Sequence, residues 1–498
     1  MAPWTSTVGA AQLARLLAPA PAAGTGAESV HGPAYRRLSD SIRLLVLEGR
    51  VPVGARLPAE RELAAALQVS RTTVATAYET LRTDGYLASR RGAGSWTALP
   101  DGSPLPTGGL EPLPPEAADT MIDLGCAALP APEPHLTRAF QHALGDLPPY
   151  THTHGDYPAG LPVLREAVAR HYTARGIPTM PEQIMIATGA MGAVSALSRL
   201  FLPRGERVAV EHPSYANILQ LLRESGARLM PVAMDDDAGG WDLAAWRQLL
   251  RDSAPRMAYV IPDFHNPTGV LAGEDERRQL VAAARAAGTV LVADETMTGL
   301  VLDEDTEVPR PMAAFDPGGS TVVTVGSVSK TVWAGLRIGW VRAAPEVVRR
   351  LTAARAYADL GSPVLEQLAV AHLLDTDWHR ALDLHRTRAR ENRDAVVEAL
   401  RHRLPDWEFR VPRGGLTLWA RTGGLSGSRI AEAGERLGVR VPAGTRFGVD
   451  GAFEAYVRVP FTLADPLASE AVARLAAAAE QVRSGAASGS PTPRSYVA

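Results

Sequence analysis

A single lysine, Lys330, stands among 51 Lys and Arg residues, in the stretch "GSVSKTVWAGLRIGW" (Gly326–Trp340). Lysine differs from arginine in one decisive respect: its amine can lose a proton at accessible pH and attack a carbonyl, whereas a guanidinium stays charged. A Schiff base therefore requires lysine, and position 330 is where this chain can form one. Ser327 and Arg337 flank it with a hydroxyl and a guanidinium, groups suited to hold a phosphate beside a bound aldehyde.

Other residues extend this chemistry. In "ATGAMGAVSAL" a Gly-rich turn opens a helix after the apolar run "QIMIAT", so backbone N–H groups near Gly189 and Ala190 favour an anion. Asp294 closes "TVLVAD", where a carboxylate can keep a pyridinium nitrogen protonated. Tyr215 in "EHPSYAN" offers a flat ring for stacking, and Asn266 in "HNPTG" a hydrogen-bond donor. Each alone has a structural explanation, as tight packing, a cap, a core ring or a turn. The specific signal is their order along the chain.

These residues need a scaffold. At 498 residues the chain exceeds one ordinary core, which points to two or more units. From about residue 122 to 483 the strand-length runs "QIMIAT", "RVAVEH", "MAYVIPD", "TVLVADE" and "TVVTVG" alternate with helical stretches of Ala, Leu and Arg. That alternation predicts an α/β unit with a mostly parallel central sheet, a large part to about 345 and a smaller C-terminal part from about 346. Before it, residues 98–121 hold the Pro/Gly-rich "ALPDGSPLPTGGLEPLPPEA", a linker. Residues 1–31 read as an arm with one short helix at "AAQLARLLAP", and residues 484–498 as a disordered tail.

The single cysteine, Cys126, excludes an intrachain disulfide and a Cys-based zinc site and suits a reducing cytoplasm. His152 and His154 have no carboxylate or cysteine cluster beside them and read as a polar loop rather than metal ligands. No apolar run approaches the ~18 residues of a membrane span, and no signal peptide is evident. A cytoplasmic chain without membrane attachment is expected.

Residues 32–97 form the other unit. Between Arg36 and Arg91 ten arginines face six acids, a local +4 within a chain of net charge −3. Ser70 is a good N-cap for a helix from Arg71 to about Asp84, whose Val74, Ala77, Tyr78 and Leu81 make one apolar stripe. Arg71, Thr72, Thr73 and Thr76 remain for a DNA groove. Beyond Gly85, "YLASRRGAGSW" predicts a wing whose Arg90 and Arg91 reach phosphates around a turn at Gly92.

In order, "YRRLSDSIR…EGRVPVGARLPAERELAAALQVSRTTVATAYETLRTDGYLASRRGAGSW" resembles the winged helix-turn-helix domain of GntR-family bacterial regulators. The resemblance implies DNA contacts from Arg56, Arg71, Thr72 and the wing around Arg91 and Gly92. The series "TGAMGA", "EHPSY", "HNPTG", "VADE", "SVSK", "LRIGW", "PRGGLTLW" and "VRVPF" resembles fold-type-I, class I/II aminotransferases that use pyridoxal 5′-phosphate. That resemblance implies that Lys330 anchors the cofactor, Asp294 pairs with its ring nitrogen, Asn266 lies near its ring oxygen and Tyr215 stacks on it. Gly189, Ala190, Ser327 and Arg337 would hold its phosphate, and Arg458 would bind an amino acid's α-carboxylate. Two departures stand out. Met297 occupies the place of a family tyrosine, which puts full transaminase chemistry in doubt. The tyrosine that reaches the partner subunit's phosphate is displaced, leaving Tyr150 or Tyr157.

The combination resembles the MocR group of GntR-family regulators. It implies a head-to-tail homodimer that binds double-stranded DNA at repeated half-sites and responds to an amino compound or to pyridoxal phosphate itself. A working aminotransferase that carries a DNA-binding unit, and an inert dimerisation scaffold, are the alternatives.

Overall fold

The computed structural model describes residues 6–17, 33–90, 94–100, 110–111, 113, 116, 120–235 and 240–485. The disordered tail expected from 484 lies outside these, apart from its first two residues, as do most of the linker and the wing positions Arg91 and Gly92.

The N-terminal unit contains β1 (Ser6–Thr7), α1 (Ala10–Leu17), α2 (Ala34–Leu47), β2 (Ala55–Arg56), α3 (Glu60–Leu67), α4 (Arg71–Thr83), β3 (Leu87–Arg90) and β4 (Gly94–Thr97). The hydroxyl of Ser70 accepts the Thr73 N–H at 3.0 Å, satisfying one of the free donors at the start of α4. Val74, Ala77, Tyr78 and Leu81 are buried as the apolar stripe requires, and the Tyr78 hydroxyl donates to the Pro58 carbonyl at 3.0 Å. β3 and β4 form the antiparallel wing, with Leu87 opposite Thr97 and Arg90 opposite Gly94. The segment expected as an arm contributes to this unit: β1 pairs parallel with β2, and Val8 and Leu13 enter its core. The amphipathic face of α1 is thus buried here.

After β5 (Ile122–Asp123) come α5 (His135–Asp146), α6 (Pro148–Thr151) and α7 (Pro162–Ala174). Strands β6 (Ile184–Thr188), β7 (Arg207–His212), β8 (Arg228–Asp235), β9 (Gly240–Trp241), β10 (Met257–Val260), β11 (Val290–Asp294), β12 (Val322–Ser327) and β13 (Ile338–Arg342) form one sheet. Its order is β6-β13-β12-β11-β10-β7-β8-β9. Pairings from β8 to β12 are parallel, and β13 runs antiparallel between β12 and β6. Helices α8 (Gly189–Phe201), α9 (Ala216–Glu224), α10 (Leu243–Ser253), α11 (Glu274–Ala287) and α12 (Pro345–Arg355) connect these strands or follow them. Hydrophobic clusters fill both faces of the sheet, as a buried parallel sheet requires.

The C-terminal part holds α13 (Val364–Asp375), α14 (Trp378–Arg403), β14 (Glu408–Phe409), β15 (Thr417–Arg421), α15 (Gly427–Arg436), β16 (Val439–Arg440), β17 (Tyr456–Pro460) and α16 (Leu467–Arg483). β14, β15 and β17 make a small antiparallel sheet, and β16 pairs with β5. Among the described residues no helix is long and apolar enough to cross a membrane.

The N-terminal unit is seated on this C-terminal part of the same chain. The Phe453 N–H donates to the Leu47 carbonyl at 2.9 Å, and buried Glu48 pairs with Arg421. Burial raises the Glu48 carboxyl above its ordinary value, and Arg421 pulls it back. The Phe453 ring occupies the space where Gly49 lacks a side chain, and Gly49 has a left-handed φ of 71°. Gly49→Ala adds both a clash and about 1–2 kcal/mol of backbone strain. It is expected to speed hydrogen exchange of the Gly49, Val51 and Phe453 amides while leaving the cofactor affinity of the large unit unchanged; unaltered protection would refute the seat.

Candidate functional site

The residues singled out in the large unit converge because the parallel strands all end on one side of the sheet, where open α/β sheets bind ligands. β6 delivers Gly189, β7 leads to Tyr215, β10 to Asn266, β11 ends at Asp294, and β12 ends at Ser327 and leads to Lys330. The antiparallel β13 starts on that side, which brings Arg337 next to Gly189. Arg337 holds a left-handed φ of 52°, and a Cβ added at Gly189 would lie 3.1 Å from its Nη2. The guanidinium therefore lies against the N-terminal end of α8, where backbone N–H groups await an anion. Ser327 donates to the Ile338 carbonyl at 3.0 Å and accepts the Ser329 N–H at 3.1 Å.

Two buried charges face this site without ionic partners. Asp294 is only 6% exposed, and among the described residues no arginine or lysine pairs with it. The equally buried Asp263 and Glu295 do have such partners, Arg277 at 2.5 Å and Arg175 at 2.8 Å. Asp294 is held instead by the Tyr259 hydroxyl at 2.6 Å and by the Thr296 N–H at 2.9 Å and hydroxyl at 2.5 Å. Burial pushes its carboxyl above the ordinary value, and these hydrogen bonds pull it back. Arg458 is 1% exposed, makes no ion pair among the described residues although Asp123 acts on its charge through space, and leaves its Nε unbonded. Its Nη1 reaches Asn266 Oδ1 at 3.4 Å, and the guanidinium lies 4.9 Å from the centre of the Phe447 ring. Burial lowers its affinity for its proton, as it does for the Lys330 amine.

Three consecutive carbonyls close over this group. Gly125 accepts from Arg458 Nη2, Cys126 from the Thr462 hydroxyl at 3.3 Å, and Ala127 from Lys330 Nζ at 2.6 Å. This strap, Tyr259 and Thr296 were missed in the sequence. Carbonyls have no residue signature, and a tyrosine inside a strand looks like core. Gly339, the second residue of β13, lies beside the same turn. A Cβ there would lie 2.6 Å from Gly189 C and 2.9 Å from Ala190 N, so glycine lets β13 approach the turn.

The remaining expectations fare unevenly. Met297 is buried in the core and brings no hydroxyl. Tyr150 and Tyr157 pack edge to face, 5.9 Å between ring centres, and the Tyr157 hydroxyl lies 3.2 Å from that of Thr153. In the N-terminal unit Arg71 and Thr72 are exposed at the start of α4, with Arg71 3.6 Å from Glu60. Thr73 is tied into the cap, 2.7 Å from the Ser70 hydroxyl, and Thr76 is half-buried. Arg56 lies on β2, its guanidinium crossing the space beside Gly94, and Arg90 ends β3.

Residues 34–96 match the family "Bacterial regulatory proteins, gntR family", and residues 132–475 match "Aminotransferase class I and II". The HTH-type transcriptional regulator YisV of Bacillus subtilis is 30% identical over 413 residues, covering 78% of this chain and 84% of YisV. The probable rhizopine catabolism regulatory protein MocR of Rhizobium meliloti is 27% identical over 416 residues, 75% of this chain and 78% of that protein. This chain belongs to the MocR group of GntR-family regulators. The large unit of this MocR-type chain superposes on the α-aminoadipate aminotransferase LysN of Thermus thermophilus, solved with N-(5′-phosphopyridoxyl)-L-leucine. The TM-score is 0.65 at 28% identity, covering 74% of this chain and 94% of LysN.

The MocR-type chain is thus a transcription regulator with an aminotransferase-like domain, whose family cofactor is pyridoxal 5′-phosphate. The residues present fit that cofactor. An unpaired buried carboxylate suits a pyridinium, and an arginine against a helix N-terminus suits a phosphate. Tyr259→Phe removes a hydrogen bond that favours the charged form of Asp294, so the carboxyl should titrate higher still. Hydrogen bonds to charged groups contribute about 1.5–3 kcal/mol, so pyridoxal phosphate should bind roughly tenfold weaker or worse in a spectral titration. Unchanged affinity would remove Tyr259 from the site.

Proposed function

We propose that this protein binds operator DNA through its winged unit and senses an amino compound, or pyridoxal phosphate itself, at Lys330. The observation that carries this reading is the pair of buried charges, Asp294 and Arg458, which make no ion pair among the described residues and both lie close enough to act on the charge of the only lysine, Lys330. When bound, the cofactor supplies an electrophilic carbonyl and an electron-accepting ring. Lys330, with its proton affinity lowered by burial, is the amine that engages the carbonyl. Asp294 holds the ring nitrogen protonated, Asn266 faces the ring oxygen, and Tyr215 covers the ring. Gly189, Ala190, Ser327 and Arg337 hold the phosphate, and Arg458 binds the effector's carboxylate as a bidentate fork.

Coupling to DNA runs through the strap and the linker. A ligand that takes over Lys330 and Arg458 must replace the Ala127 and Gly125 carbonyls, which lie just after β5. The linker that precedes β5 is itself clamped at Leu110, whose N–H and carbonyl bond the Asn217 side chain at 2.6 and 3.1 Å. The winged unit contacts DNA with Arg56, Arg71, Thr72, Thr73, Thr76 and the wing at Arg90, Arg91 and Gly92. In a head-to-tail homodimer the units would exchange, each lying on the partner's large unit, and a swap can reuse the contacts of the seat. The proposed domain limits are 32–97 for the winged unit and 122–483 for the aminotransferase-like unit.

A second reading, a working aminotransferase, draws on Arg458 and on the likeness to LysN. Met297 weighs against it.

The test is a gel-shift titration with DNA selected by the protein from a random pool. Adding pyridoxal phosphate or an amino compound should change affinity about 5- to 150-fold, the usual range of allosteric coupling. Borohydride should fix the cofactor to the Lys330 peptide, and Lys330→Ala should abolish both the label and the response. Affinity that never changes, with cofactor or with any amine tried, would end this reading. Steady turnover with 2-oxoglutarate at about 1 s⁻¹ or faster would favour the enzyme.

A further inference from the structure

A cavity of about 960 Å³ lies where the N-terminal unit meets the large one, away from Lys330. One wall comes from the N-terminal unit, with Val8, Arg50 and Pro52, and the other from β7, β8, α9, α10 and the loop at Val449 and Asp450. The cavity is thus lined by both units of the chain. It also adjoins the seat, since Arg50 follows Gly49 and Asp450 stands three residues before Phe453.

Its lining pairs apolar surface with excess positive charge. Met230, Leu249 and Val449 supply apolar contact, while Arg50, Arg207, Arg223 and Arg228 outnumber Asp252 and Asp450. Arg207 Nη1 donates to the Ser253 carbonyl at 2.9 Å and Arg223 Nη2 to the Gly448 carbonyl at 3.3 Å, both neutral oxygens, while Asp450 attracts Arg223 through space. Among the described residues Arg228 makes no ion pair. Arg228 differs in this from Arg170 and Arg310, which pair with Asp375 and Glu274. Small-molecule sites typically have about 300–1,000 Å³ and an apolar lining with a few polar groups. Guanidinium groups suit carboxylates, phosphates and sulfonates.

We propose that this cavity is a second ligand site. It takes a small organic molecule that combines an apolar body with two or more negative charges, and its occupant holds the N-terminal unit on its seat. A ligand touching Arg50 on one wall and Arg223 or Arg228 on the other binds the seated arrangement better than the released one, which is what a shift of that equilibrium requires. The site uses none of the residues around Lys330, so it stands or falls independently of the cofactor reading.

The probe is the dianionic aromatic dye bis-anilinonaphthalene sulfonate, titrated into cofactor-saturated protein and followed by fluorescence. A single saturable site is expected, weakened at least tenfold by Arg223→Ala with Arg228→Ala, and likewise by Arg50→Ala. The uncharged N-phenylnaphthylamine should bind at least tenfold more weakly than the dye. Bound dye should also slow hydrogen exchange at the Val51 and Phe453 amides. An unchanged cofactor spectrum in each variant checks that the large unit is intact. Absence of binding, equal binding to the arginine variants, or unaltered exchange at the seat would each overturn the proposal.

Discussion

The site depends on leaving two opposite charges buried and, among the described residues, without ion pairs, one at the end of a central strand of the large sheet and one in the small sheet. A buried charge stripped of its partner costs a protein about 3–5 kcal/mol, and natural structures normally avoid this by pairing. This chain does so for Asp263 and Glu295, which meet Arg277 and Arg175. Asp294 and Arg458 are exceptions, held by neutral hydrogen-bonding groups that moderate the cost without cancelling the charge. Such an arrangement persists when the surrounding fold over-determines it. Asp294 ends a strand flanked by parallel neighbours on both sides, and Arg458 lies inside the small sheet opposite Trp419.

Much of this was legible in the sequence because it depends on local rules. Apolar runs at strand length marked β6, β7, β10, β11 and β12, and a serine ahead of an amphipathic stretch marked the start of α4. A lone lysine among arginines marked the reactive amine. What was not legible depends on tertiary approach. Tyr259 has the pattern of any buried strand residue, and only the side-by-side pairing of β10 with β11 sets its hydroxyl against Asp294. Gly49 and Gly339 are glycines because a ring and a backbone come close to them from distant parts of the chain. The role of α1 was hidden for the same reason, since one amphipathic turn does not say which core will bury it.

The two ends of the regulator are joined by little intervening structure. Arg458 on β17 pairs in register with Trp419 on β15, and Tyr456 on the same strand with Arg421, the residue that holds Glu48 of the N-terminal unit. Phe453, the other half of the seat, precedes β17 by three residues. A displacement of β17 on carboxylate binding would reach the seat within one strand, without a long chain of side chains. A rigid ladder between two contacts is the kind of element that can carry coupling.

The strap ties three donors of the site to consecutive backbone oxygens. Lys330, Thr462 and Arg458 donate to the Ala127, Cys126 and Gly125 carbonyls, so a group that engages Lys330 or Arg458 competes with hydrogen bonds made within the chain. Exchange of this kind gains little net energy per contact. Residues 125–127 follow β5 directly, so the strap ties Lys330 and Arg458 to the part of the chain that the linker enters.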